Sequence, residues 1–350
     1  MHKQYDALAL FSGGLDSILA CKVVQDQGLK VLGLHFMSPF FGKPHKIEHW
    51  SRIYGVDILP VDVSTAYVEM FLTPPNGYGQ HLNPCLDCKI LMLSHARAML
   101  DEYGAKFLIS GEVVGQRPMS QRRDALNMIR KRAGVRDLLL RPLCAKKLEP
   151  TPMEESGLVD RERLLDIGGR GRKRQLALAR ETYRFKEIPT PAGGCLLTEA
   201  ESVGRYYFLL RNKPCPSLSD FRLACTGRQL WSGGHWLSMG RNQADNAALA
   251  ALAEPGDLTF DLRNYPSPLS LARPLPGVEW DTEVIRSAAA LAASYSPKAV
   301  RAGTPVDMLV SHRGRVDTIA VLPDRAPALN WAEPDTDGLR EWKIERGQSL

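Results

Sequence analysis

The chain has 350 residues, 44% of them hydrophobic, with a formal net charge of +6 and a pI near 8.9. That size suits two or three domains with an ordinary apolar core, and the mild basicity fits a nucleic-acid partner without requiring one. No apolar run approaches the roughly 20 residues that cross a bilayer, and MHKQYDALALF runs straight into a strand pattern rather than a signal-peptide layout, so a cytoplasmic protein without membrane association is expected.

In chain order, residues 5–11 predict a short buried strand and residues 15–27 a helix, joined by FSGGLDS. Further strands are predicted at 30–36, 57–63, 107–112 and 138–143, and helices at 43–54, 86–103 and 118–133. Apolar strands alternating with helices predict an α/β fold, a doubly wound parallel sheet covered on both faces, over residues 1–200. Ligands in such sheets bind beyond the carboxyl ends of the strands, where the loops after Phe11, Glu112 and Pro142 open. Residues 150–190 read as a basic helical segment, with Arg161, Arg163, Arg170, Arg172, Lys173 and Arg174 close together. A loop at 190–198 follows. Past a boundary near 200–220 proline becomes frequent and the βα rhythm stops, which predicts a smaller α+β domain over 215–322 and an extended tail over 323–350.

The FSGGLDS loop carries the sharpest chemistry. Gly13 and Gly14 permit positive φ and close approach of the backbone to a ligand. Their N–H groups, with the start of the next helix, suit phosphate oxygens. Ser12 and Ser17 add hydroxyls, and Asp16 is placed to position Mg²⁺ or a nucleotide group. The pattern is not GxxxxGK[ST]. It resembles the SGGxDS loop of the PP-loop ATP pyrophosphatases, which split ATP between its α- and β-phosphates and adenylate an oxygen of their substrate. The resemblance implies an adenine-nucleotide-hydrolase-like fold. It also implies ATP contacts from Phe11, Ser12, Gly13, Gly14, Asp16, Ser17 and His35, with Asp16 catalytic.

Seven cysteines, an odd number in a chain read as cytosolic, argue against a disulfide framework. Cys21 reads as packing, and Cys144, Cys215 and Cys225 have no partner at a telling spacing. Cys85 and Cys88 stand as CxxC behind Pro84, which predicts that Cys85 opens a helix with both sulfurs on one face and lowered thiol pKa values. Cys195 follows two glycines. The three thiols fit a structural zinc completed by His81 or His95, a 4Fe–4S cluster with one open iron, a persulfide pair of Cys88 with Cys195, or unrelated buried cysteines.

Together, Asn83-Pro84-Cys85-x-x-Cys88, the later Gly-Cys195 and the SGGLDS loop resemble the tRNA thiolation enzymes of the PP-loop class. Lys89 stands where their 2-thiouridylases commonly have asparagine, and Cys85 is more typical of the iron–sulfur-dependent members. SGEVVGQRPMSQ at 110–121 is similar to the GExxGQxxSQ motif of the tRNA 4-thiouridine synthetases at Gly111, Glu112, Gly115, Gln116, Ser120 and Gln121, and LRPL follows it as in that group. No THUMP-type domain is read ahead of the loop. The resemblance implies further ATP contacts from Gly111, Glu112 and Gln116, and catalytic roles for Cys88 and Cys195. It also implies a 4Fe–4S cluster on Cys85, Cys88 and Cys195 (zinc or none as alternatives), a tRNA substrate, and sulfur from sulfide or a cysteine desulfurase persulfide.

Farther on, MGRNQADN, an alanine-rich helix around 288–296 and TPVDMLVSHRGRV resemble, in part, the NFACT-R module of RNA-associated proteins. Phe260 and Leu262 replace that module's usual tryptophan and histidine. RNA contacts are expected at Arg170, Arg172, Lys173, Arg174, Arg241 and Asn242. Arg263, Arg273, Lys298, Arg301, Arg313 and Arg315, interleaved with Trp236, Tyr265 and Tyr295, form a wider basic and aromatic set. The expected function is ATP-dependent tRNA uridine thiolation, with a homodimer left open. Its rivals are a PP-loop amidotransferase or synthetase with a small-molecule acceptor, and a non-catalytic RNA-binding protein.

Overall fold

The computed structural model describes residues 4–189 and 194–347, so residues 190–193 of the loop expected at 190–198 lie outside the described residues. The chain divides into two compact units, Met1–Glu199 with Lys343–Leu350, and Ala200–Trp342.

In the first unit the elements run β1 (Ala7–Leu10), α1 (Leu15–Gln25), β2 (Val31–Met37), α2 (Ile47–Tyr54), β3 (Asp57–Asp62), α3 (Ser64–Leu72), α4 (Cys85–Ala98), β4 (Phe107–Ser110), α5 (Arg123–Arg132), β5 (Leu139–Leu140), α6 (Pro152–Glu155) and α7 (Lys173–Ala177). The strands form one parallel sheet in the order β3-β2-β1-β4-β5. β1 and β4 are buried at every position, as continuous apolar runs covered on both faces must be. Ala7 lies opposite both Val31 and Phe107, so β1 is the central strand and the strand order reverses beside it. The core joins Ala9, Ile18, Leu19, Val24, Phe107 and Ile109 to Leu140, Leu143 and Ile167.

One helix was not expected, and two local expectations change. Residues 64–72 form helix α3, although their Tyr, Val and Phe favour strands, because Tyr67, Val68 and Phe71 bury one helical face. The helix expected at 118–133 starts only at Arg123. The basic segment 150–190 is not one helix. It is broken into α6, a 3₁₀ turn at Arg161–Arg163, α7 and a π turn at Leu178–Thr182, since Pro150, Pro152, Gly168, Gly169 and Gly171 interrupt it.

The second unit contains α8 (Ala200–Asn212), α9 (Leu218–Cys225), β6 (Arg228–Ser232), β7 (His235–Met239), α10 (Gln243–Leu252), β8 (Leu258–Leu262), β9 (Ser270–Ala272), α11 (Thr282–Ser294), α12 (Pro297–Ala302), β10 (Val306–His312) and β11 (Arg315–Val321). Its sheet runs β11-β10-β8-β9-β7-β6 with every pair antiparallel, which makes the unit α+β. Ala288, Ala289, Ala292 and Ala293 of α11 pack into the same core as Leu237, Phe260 and Met308. The segment expected to be an extended tail pairs Ala332 with Trp231 and then forms α13 (Leu339–Glu345), which carries the chain back into the first unit. Among the described residues no helix is long and apolar enough to cross a membrane.

Candidate active site

The loops after β1 and β4 leave the sheet on either side of the strand-order reversal, the crevice in which doubly wound folds bind ligands. Gly13 adopts φ +74°, and a Cβ there would lie 2.4 Å from the Trp50 ring, so only glycine lets the loop pass. Ser17 Oγ donates to the Gly14 carbonyl at 2.8 Å, and the Ser12 and Ser17 hydroxyls are 3.2 Å apart, which holds the loop in a tight turn ahead of α1. At the end of β4, a Cβ on Gly111 would stand 2.5 Å from the Asp16 carbonyl oxygen. This glycine therefore permits the first turn of α1 to close against the second loop.

The two loops are tied by side chains. Gln116 Nε2 donates to Asp16 Oδ2 at 2.6 Å, and Gln175 Nε2 donates to Gln116 Oε1 at 3.2 Å. Arg172 Nη2 lies 3.7 Å from Asp16 Oδ1. Sequence reasoning set Arg172 among RNA contacts and overlooked Gln175; the structure turns both toward the nucleotide loop. Only the run of glycines before Arg172 hinted at a close approach.

Several expected ATP contacts act instead as supports. His35 is buried, its Nδ1 donates to the Phe11 carbonyl at 2.9 Å, and its Nε2 accepts from the Lys43 N–H at 2.8 Å. Both ring nitrogens are thus committed to backbone, and His35 braces the strand end. Burial, with Lys43 adding to it, holds its pKa below the ordinary value against the opposing hydrogen bond to Phe11. Glu112 is buried and paired with Arg141 of the LRPL stretch at 3.0 Å. Burial alone would raise its pKa, but Arg141 and then Lys89 outweigh that and hold it below the usual carboxylate value.

Cys85 does open α4, with Asn83 Nδ2 donating to its sulfur at 3.1 Å. Cys195 forms a bridge with Phe41, whose ring packs edge-on against Tyr67. Cys88, Cys195 and Cys85 all lie near enough to act electrostatically on the buried Tyr67 hydroxyl, so the fold gathers the three thiols around Tyr67. The expected lowering of the thiol pKa is not found at Cys88. Burial pushes Cys88 up to about 12 despite Lys89, and Cys195 to about 12 with Cys88 adding to the effect. A helix N-terminus lowers a thiol pKa only where solvent or a cation stabilises the thiolate. Among the described residues no three His, Cys, Asp or Glu side chains are arranged to hold a metal ion.

Of the expected RNA contacts, Arg170, Lys173 and Arg174 are exposed, and Arg174 pairs with Asp166 at 2.6 Å. Asn242 caps α10 by accepting from the Asp245 N–H, and Arg241 pairs with Asp245 at 2.8 Å, so both serve the helix start. Arg273 is buried between Asp257 and Asp220, and Trp236 is buried in a stack on Trp231, which removes both from the basic and aromatic surface.

A five-stranded parallel sheet carries a Ser-Gly-Gly-x-Asp-Ser turn at its switch point, the place where such sheets bind nucleotides. Residues 2–149 match the family model of the thiamine biosynthesis protein ThiI. The chain is 29% identical over 119 residues to a probable tRNA sulfurtransferase of Thermococcus kodakarensis, covering 32% of this chain and 31% of that protein. It is 28% identical over 173 residues to another probable tRNA sulfurtransferase, of Methanobrevibacter smithii, covering 47% and 44%. It is 34% identical over 127 residues to the tRNA-specific 2-thiouridylase MnmA of Nitratidesulfovibrio vulgaris, covering 31% and 35%. The chain thus spans less than half the length of each of these relatives.

Proposed function

We propose that this chain is an ATP-dependent tRNA sulfurtransferase. The observation that carries the reading is the joining of the SGGLDS and GEVVGQ loops at the strand-order reversal through the Asp16–Gln116 hydrogen bond of 2.6 Å. The thiols belong to the same unit, and Lys89, next to Cys88, lies close enough to act on Glu112. Names of the sequence relatives supply the acceptor class.

In this reading the loop amides of Gly13 and Gly14, with Ser12 and Ser17, hold the phosphates, and Asp16 orients the bound Mg²⁺. A uridine carbonyl oxygen attacks the α-phosphate, pyrophosphate leaves, and the adenylated oxygen becomes a good leaving group. The chain supplies positioning and charge neutralisation rather than covalent chemistry in this half. The outer sulfur of a persulfide on Cys195, supplied by a persulfide donor, then attacks the activated carbon and AMP leaves; the Cys88 thiolate attacks the Cys195 sulfur, which frees the thiolated base and leaves a Cys88–Cys195 disulfide for an external thiol to reduce. An iron–sulfur cluster on the cysteine trio would supply a sulfide in place of a persulfide. Among the described residues the side chains form no metal-holding group, so no step is assigned to one. The exposed Arg170, Lys173 and Arg174 are the tRNA contacts proposed in the first unit, and the α+β unit is proposed separately as an NFACT-R-like RNA-binding module.

The test is incubation with unmodified tRNA, Mg-ATP, and a cysteine desulfurase with cysteine as the persulfide donor, followed by nucleoside mass spectrometry. ATP-dependent thiolated uridine supports the reading, and cleavage of ATP to AMP without sulfur in RNA transfers it to a small-molecule acceptor. Cys195→Ala is expected to keep pyrophosphate release and lose thiolation; thiolation at the normal rate would remove Cys195 from the sulfur path.

A further inference from the structure

We propose that Arg172 is a phosphate-binding residue of the nucleotide site, one that rests beside Asp16 until a magnesium-bound triphosphate separates the two. This rests on the nucleotide reading of the SGGLDS loop and adds a residue from outside it.

Three buried polar atoms without hydrogen-bond partners meet here: Asp16 Oδ1, Arg172 Nε and Gln175 Oε1. At 3.7 Å, Arg172 Nη2 is too far from Asp16 Oδ1 for a hydrogen bond, so neither charged group satisfies the other. Leaving a charged donor and acceptor buried and unmet is costly, and such atoms concentrate where a ligand completes them. One ligand class meets both needs. Phosphate oxygens accept from the guanidinium fork, and a divalent cation on those phosphates takes the free carboxylate oxygen.

The backbone brings Arg172 to this place deliberately. The Gly169 N–H donates to the Val114 carbonyl at 2.8 Å, which fastens the Gly-Arg-Gly-Arg-Lys run to the GEVVGQ loop. Gln175 is fully buried, and its link through Gln116 fixes Oδ2 of Asp16 while leaving Oδ1 free. Arg170 and Lys173, on the same run, are exposed, so Arg172 is set apart from its neighbours by its inward direction.

Titration calorimetry on the full chain tests this with Mg²⁺ and α,β-methylene-ATP, which cannot be split at the bond in question, and with AMP as the comparison. Arg172→Gln is expected to weaken the triphosphate analogue by about tenfold or more and to change AMP binding by less than about twofold, as loss of a charged phosphate contact implies. Arg172→Lys keeps the charge but not the fork and should fall between; it also serves if the glutamine variant is unstable. Arg180→Ala, an exposed arginine farther along the segment, should leave both affinities unchanged. Equal weakening of analogue and AMP, or no change in either, overturns the assignment. So does loss of tRNA binding with triphosphate affinity intact. Wild-type protein that binds neither nucleotide overturns the nucleotide reading of the loop, and this inference with it.

Discussion

At the scale of single residues, Asp16 is the centre of the site, because Gln116 and Arg172 both converge on its carboxylate. Asp16→Ala is expected to abolish ATP–pyrophosphate exchange while circular dichroism stays unchanged; exchange at the wild-type rate would remove the loop from catalysis. His35 gives a pH signature. Its folded pKa lies below the unfolded value, so its contribution to stability is complete above the unfolded value and is lost as pH falls toward the folded one. Between about pH 7 and 5 the wild-type unfolding midpoint should drop, and His35→Gln, which retains an acceptor, should flatten that part of the profile. Asp16, Gly13 and Gly14 were legible in the sequence, since their chemistry is local to one turn. The burial of His35 and the inward turn of Arg172 were not, because each depends on a partner distant in the chain.

At the scale of elements, the βα rhythm placed the five strands of the first sheet because the inner parallel strands are near-continuous apolar runs, while the edge strand β3 is partly exposed and begins and ends in aspartate. Helix α3 escaped notice because burial of one face, visible only in three dimensions, overrides its strand-favouring residues. The Glu112–Arg141 pair shows the same limit. The motif marks Glu112, and only the fold shows that β4 and the loop after β5 bury it against Arg141. Glu112 has a lowered folded pKa, so its stabilising contribution is present above the unfolded value of 4.5 and disappears as pH falls through the folded one. Glu112→Gln should cost about 3–5 kcal/mol in urea unfolding by stranding a buried guanidinium, and adding Arg141→Met should recover part of that loss. In the second unit, Asn242→Ala should lower stability by about 1 kcal/mol, as loss of a helix cap does.

At the scale of the molecule, the sequence marked a change of character near 200–220, and the structure divides the chain after Glu199. What no sequence pattern indicated is that the first unit is assembled from both ends of the chain. Lys343 is buried, and its Nζ donates to the carbonyls of Gly79 at 2.7 Å and Gln80 at 3.0 Å, just ahead of the cysteine helix. Lys343→Met should leave those carbonyls unmet and raise amide exchange across residues 79–83 more than across β1 or β4.

The return of Lys343 sets an order in time. During synthesis the parallel sheet can assemble as soon as its strands have emerged, but the loop before Cys85 waits for Lys343, 264 residues beyond Gly79. A ribosome that stalls anywhere in the second unit therefore releases a chain able to build the nucleotide crevice yet lacking the lysine that ties down the segment before the thiols. Lys343 thus works as a check on the second unit: the loop ahead of the cysteine helix is secured only once that whole unit has been made.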